Sequence, residues 1–133
     1  MTMSPWDQLC ATLDRAHGVD RIGPQTLRVV HEVTPGRLQE VYLAHVRDND
    51  DQSWAQADAP IAQLSQIDLH RALRAVEKAV CGGLCHLSIG GIAHVSVRQA
   101  ILLPATGEVP LSSVAPVLRL LTATAVGLAD ELR

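Results

Sequence analysis

A chain of 133 residues with 47% hydrophobic and 19% charged side chains has the apolar mass for one folded core and too little charge for a disordered, solvating segment. Its net charge of −3 and its sparse aromatics, Trp6, Tyr42 and Trp54 with no phenylalanine, supply neither a basic footprint nor a stacking platform, which argues against nucleic-acid binding. The opening MTMSPWDQLC has no basic leader before an apolar run, and the longest apolar tract (114–129) is short of a membrane span and carries Arg119, so a soluble, cytoplasmic single domain over 1–133 is expected, with no membrane partner and its three cysteines reduced.

The first helix is announced by SPWD. Ser4 is placed to cap, Pro5 suits the first helical position, and Asp7 stands three residues after the cap. Trp6, Leu9, Cys10, Leu13 and Ala16 follow at helical spacing and Gly18 is placed to stop the run, which makes Cys10 a core residue rather than a reactive one. Strands come next. TLRVVHEV (26–33) alternates, TPG (34–36) turns, and RLQEVYLAHVR (37–47) is rich in strand formers. DNDDQS (48–53) reads as a hairpin loop and lacks the glycine and terminal glutamate of a calcium loop. WAQADAPIAQL (54–64) is a weaker third strand, demoted at its end by Pro60.

SQID (65–68) offers a second cap. The helix after it carries Leu69, Ala72, Leu73, Val76, Ala79 and Val80 on one side, and His70, Arg71, Arg74, Glu77 and Lys78 on the other, a solvated face. CGGLCH (81–86) then reads as helix stop plus strand start, with Gly82 as the left-handed residue at the helix end. Neighbours on a strand point to opposite faces, so Cys85 and His86 cannot share a metal; no second ligand pair exists, and the spacing misses the C-x-x-C-H of haem attachment by one residue. LCHLSI (84–89), the turn Gly90–Gly91 and IAHVSVRQAILL (92–103) form a hairpin. The last helix is capped by Ser112 or Ser113, tolerates Pro116 in its first turn, and presents Val114, Val117, Leu118, Leu121, Ala125, Leu128 and Leu132 along one side. The element order α-β-β-β-α-β-β-α predicts an α+β fold, an antiparallel sheet packed by helices.

No nucleophile elbow, zinc-protease motif, phosphate loop or dinucleotide fingerprint occurs, so no catalytic residue is assigned. Two site hypotheses remain. Val41, Tyr42, Leu43 and Trp54 stand on successive strands and cannot all enter one core, which marks Val41, Tyr42 and Trp54 as candidate contacts for a protein or peptide partner; Tyr42 and Trp54 suit a core equally well. The alternative is a small-molecule or metal site built from the strand histidines His31, His45, His86 and His94, which needs side-chain directions to agree on four strands at once.

GRLQEV (36–41), VCGGLCHL (80–87) and VPLSSVAPVLRLLTATAVGLADEL (109–132) are similar to the YbjN-like family, which shares the fold of type III secretion chaperones. In that family a Gly-Gly pair follows the second helix, and a Pro-Leu-containing helix ends in an Ala-Asp-x-Leu phrase, matched here by Ala129, Asp130 and Leu132. The resemblance implies a bent antiparallel sheet packed by helices and a homodimer without catalysis or cofactor, acting as a chaperone-like or adaptor protein on a polypeptide client. It also implies self-association through the second helix, at Leu69, Leu73 and Val76. Secretion chaperones of this fold are more acidic than this chain.

Overall fold

The computed structural model of the protein describes residues 3–79, 82–105 and 107–133. Helix α1 (Pro5–Ala16) is followed by strands β1 (Val19–Gly23), β2 (Thr26–Thr34), β3 (Arg37–Arg47) and β4 (Ser53–Gln63). A 3-10 turn (Leu64–Gln66), helix α2 (Leu69–Val76), strands β5 (Gly83–Ile89) and β6 (Ile92–Leu102) and helix α3 (Leu111–Glu131) complete the chain. All strands join one antiparallel sheet in the order β1-β2-β3-β4-β6-β5. The α+β class and the expected alternation of elements hold, with β1 as an additional edge strand.

Local chemistry explains most boundaries. Ser4 accepts a hydrogen bond from the Asp7 amide (3.1 Å) and donates to the Asp7 carboxylate (2.9 Å), satisfying a helix-end donor that otherwise has no partner. The cap of α2 is Asp68, which accepts from the Arg71 amide at 3.1 Å; Ser65 lies in the preceding 3-10 turn, so the helix starts later than its sequence suggests. Helix α3 begins after Pro110, which puts Pro116 in the second turn and leaves the exposed Ser112 carbonyl to solvent. The Gly90–Gly91 turn has positive φ at both residues, as a tight hairpin requires.

Gly82 is also left-handed, at φ +65°, but α2 ends at Val76, so Gly82 leads into β5 instead of closing the helix. A side chain there would meet the Arg98 carbonyl oxygen at 2.0 Å, so the position demands glycine for close approach as well as for φ. Val80 and Cys81, which the sequence places in the helix and its stop, lie outside the described residues.

Strand alternation sorts the sheet into two faces. Leu27, Val29, Val41, Leu43, Ala55, Ala57, Ala59 and Val97 point one way and form one buried cluster with Trp6, Leu9 and Leu13 of α1 and Val114, Leu118, Leu121, Ala125 and Leu128 of α3. Each fully buried leucine or valine in such a cluster contributes about 1.5–3 kcal/mol. The alanines of β4 are small, and α3 lies over β4 and β6. Thr12 ties the layers together by donating to the Val109 carbonyl at 2.5 Å. Pro60 does not end β4, which pairs on both sides; the ladder absorbs the missing N–H at a register shift between Pro60 and Ala62.

Candidate functional site

The second face of the sheet carries no helix among the described residues. Its rows follow from the register. Val46 pairs with Trp54 and Trp54 with Leu102, so three apolar side chains from β3, β4 and β6 line up at one end. Leu102 is 51% exposed. Trp54 is half-buried and fixed by its indole N–H, which donates to the Asp48 carboxylate at 2.8 Å. That bond, with amide donations from Gln52 and Asp50, holds the Asp48 carboxyl below its ordinary range.

Two registers along, the row Arg28, Tyr42, Asp58, Arg98 is polar. Arg28 donates to Asp20 (2.5 Å) and Glu40 (3.4 Å), and the Tyr42 hydroxyl donates to Glu40 at 2.8 Å. Burial, then the Glu40 carboxylate, push the Tyr42 phenol above its usual value. Arg98 grips Asp58 with two bonds of 2.9 and 3.1 Å, and the Ser96 hydroxyl adds a third at 3.0 Å. The open face is therefore an apolar end beside a saturated polar belt, and not a continuous apolar layer.

Tyr42 and Trp54 stand on this face. Val41 does not: it points into the core and is completely buried, because residue 41 has the opposite direction to residue 42 on a strand. The expectation that Val41 touches a partner is corrected on that ground.

A second apolar surface lies where α2 crosses the end of the sheet. The helix turns Ala72 and Ala75 inward, while Leu69 and Leu73 are 43% and 50% exposed. Its sequence pattern put both leucines on the core side with Ala72; the observed rotation is about one residue away, centred between the two alanines. Val76 packs inward against the core cluster, which corrects its place in an exposed self-association surface. Leu64, Leu69, Leu73, Leu84, Cys85, His86, His94 and Val95 line a mostly apolar groove of about 270 Å³ beside β5. Strand β5 is an edge: seven residues, none charged, with one side of its backbone unpaired. The opposite edge, β1, is five residues long and carries Asp20 and Arg21, the ordinary defence against strand addition.

Of the strand histidines, His86 and His94 both line the groove beside β5, while His31 and His45 stand apart from it and from each other. His31 and His45 occupy opposite ends of the β2–β3 hairpin, since His31 pairs with Gln39 while the His45 amide bonds the Gln25 carbonyl. His45 stacks on Trp6 with ring centres 5.4 Å apart and hydrogen-bonds Gln25 and Ser53 (2.9 Å to the latter). His86 pairs with Val95, the neighbour of His94, which sends the two imidazoles to opposite faces. Among the described residues no group of three or more His, Cys, Asp or Glu side chains is arranged to hold a metal ion. Cys10 is buried and burial pushes its thiol up, which suits the inert core role expected of it.

The sequence missed Leu102, the Asp58–Arg98–Ser96 cluster and the β5 edge. All three depend on β6 inserting between β4 and β5, a pairing across about forty residues that no local pattern announces. Comparisons with known proteins return nothing: no family model, no curated protein and no solved structure matches the chain.

Proposed function

We propose that the protein is a non-enzymatic, cytoplasmic, chaperone-like or adaptor protein of YbjN-like character that works as a homodimer and binds a polypeptide partner. The observation that carries this reading is the pair of exposed leucines, Leu69 and Leu73, standing over an uncharged open strand edge. Exposed apolar area beside unpaired backbone is unfavourable in water unless another chain covers it, and an antiparallel edge can pair with its own copy about a two-fold axis. The apolar row Val46, Trp54 and Leu102 is a separate surface on the helix-free face, suited to side chains of an extended client.

Sedimentation equilibrium at tens of micromolar tests the first part. A dimer is expected, with Leu69→Lys plus Leu73→Lys shifting it to a folded monomer, because both side chains are exposed in the protomer. A monomeric wild type overturns the dimer. The client surface is tested by affinity capture with the wild type and Trp54→Ala: reduced recovery of the same proteins is expected, and equal recovery removes the open face from the reading.

A further inference from the structure

The exposed leucines of α2 and the open edge of β5 lie at one place and on one side of the sheet. Alternation along β5 sends Leu84 toward the buried cluster, against which it packs, and so turns His86 and Ser88 to the same helix-covered side. Cys85, Leu87 and Ile89 take the other face. His86 is exposed, and with Leu69 and Leu73 it lines the groove beside the edge.

Symmetry decides which partner fits both features. Two antiparallel edges related by a two-fold axis keep their helix-covered faces on the same side, so side chains directly opposite each other share a face. Even-numbered residues of β5 then meet only even-numbered residues of the copy, and odd meet odd. The register that pairs all seven residues of Gly83–Ile89 sets Gly83 against Ile89, Leu84 against Ser88 and Cys85 against Leu87, with His86 against its own copy at the axis. Sliding one permitted step, to a centre at Cys85, leaves Ser88 and Ile89 unpaired, and a centre at Leu87 abandons Gly83 and Leu84. The same axis puts the Leu69 and Leu73 pairs of both copies on one side of the joint, so one operation serves the open backbone and the exposed apolar area together. An extended peptide satisfies the backbone but brings no second pair of leucines to that side.

We propose that two copies of the chain join through β5 in this register, with the two His86 imidazoles facing each other across the two-fold axis. This interface rests on the dimer read above and gives it a register and a response to acid. Residues directly opposed on adjacent strands stand about 5 Å apart at Cβ, where like charges repel. Protons therefore bind the free protomer better than the dimer, and acid favours dissociation. The side chains that face His86 are apolar: Val95 opposes it from β6, and Leu64, Leu69 and Leu73 line the groove with it. Cys85 and His94, the other titratable groups of the groove, belong to the opposite strand face, and the His94 Nδ1 donates to the Ile92 carbonyl at 2.9 Å. His70, Arg71, Arg74, Glu77 and Lys78 of α2 and the residues after it line a different cavity.

Sedimentation equilibrium at about pH 7.5 and about pH 5.5 tests the acid response, with circular dichroism at both to keep dissociation apart from unfolding. The wild-type dimer is expected to be roughly tenfold weaker at the lower pH, the effect of one unit of difference in proton affinity. His86→Gln should hold its affinity across the range, and His94→Gln should behave as the wild type. Cysteine cross-linking tests the register in a Cys85→Ser background. Oxidised His86→Cys is expected to form a covalent dimer, because opposed Cα atoms about 4.5–5.5 Å apart are within disulfide reach, and Ser88→Cys is not. A wild type that is monomeric at both pH values overturns the dimer and this interface with it. A dimer of equal affinity at both, or an acid response that survives in His86→Gln, removes the His86 contact and leaves the dimer standing. Failure of His86→Cys to cross-link, or equal cross-linking of Ser88→Cys, overturns the register.

Discussion

Asp58 is 3% exposed on a face that no helix covers among the described residues, and a carboxylate so placed needs charge-assisted hydrogen bonds to be stable. Arg98 supplies two hydrogen bonds and the wholly buried Ser96 a third, and the grip of Asp58 raises the already high guanidinium pKa of Arg98. Removing one partner strands the other, so Asp58→Ala is expected to cost about 3 kcal/mol in urea denaturation. Replacing both charges at once, Asp58→Leu with Arg98→Met, should cost less than the single change, since no unpaired charge remains. A single substitution that leaves the midpoint unmoved would show the pair to be surface decoration. None of this is visible in WAQADAPIA, where Asp58 reads as one more polar residue of a weak strand; its meaning is supplied by a partner forty positions away.

Elements whose identity depends on neighbours in sequence were legible, and those that depend on distant packing were not. The α1 cap, the Gly90–Gly91 hairpin and the buried stripe of α3 follow from local chemistry and periodicity. Strand β1 does not: VDRIG has little strand character, and its ladder with β2 makes it one. Helix α2 is the sharper case. Its leucines look like the buried residues, yet Ala72, Ala75 and Val76 are the ones turned inward. This geometry inverts the usual ranking of substitutions. Ala72→Leu should destabilise the protomer by about 2 kcal/mol through overpacking, whereas Leu73→Ala should change it by less than about 0.5 kcal/mol. Thermal denaturation at dilute protein concentration, where self-association does not contribute, checks the pair. The opposite order would mean that α2 sits on its leucines after all.

Across the whole molecule, the two perturbed histidines stand at opposite ends of the core and share one sign. His31 is lowered by burial, then by His17 and Arg119; His45 is lowered by burial, then by Arg47, with Asp7 opposing. The unfolded chain therefore binds protons that the folded chain resists, so stability is full above the ordinary histidine value of 6.5 and falls as the pH drops below it. Asp48 and Asp130, held low by Trp54 and Arg37 first, also lose stability in acid, but only below the ordinary carboxylate value of 3.8, which separates the two windows. Urea midpoints compared between about pH 7.5 and about pH 5.5 thus report on the histidines. The midpoint is expected to fall, and the fall to shrink when His31→Gln and His45→Gln are combined, since glutamine keeps a hydrogen-bonding amide without taking up a proton. A midpoint that stays flat or rises on acidification would show that burial of the two rings is too shallow to resist the proton.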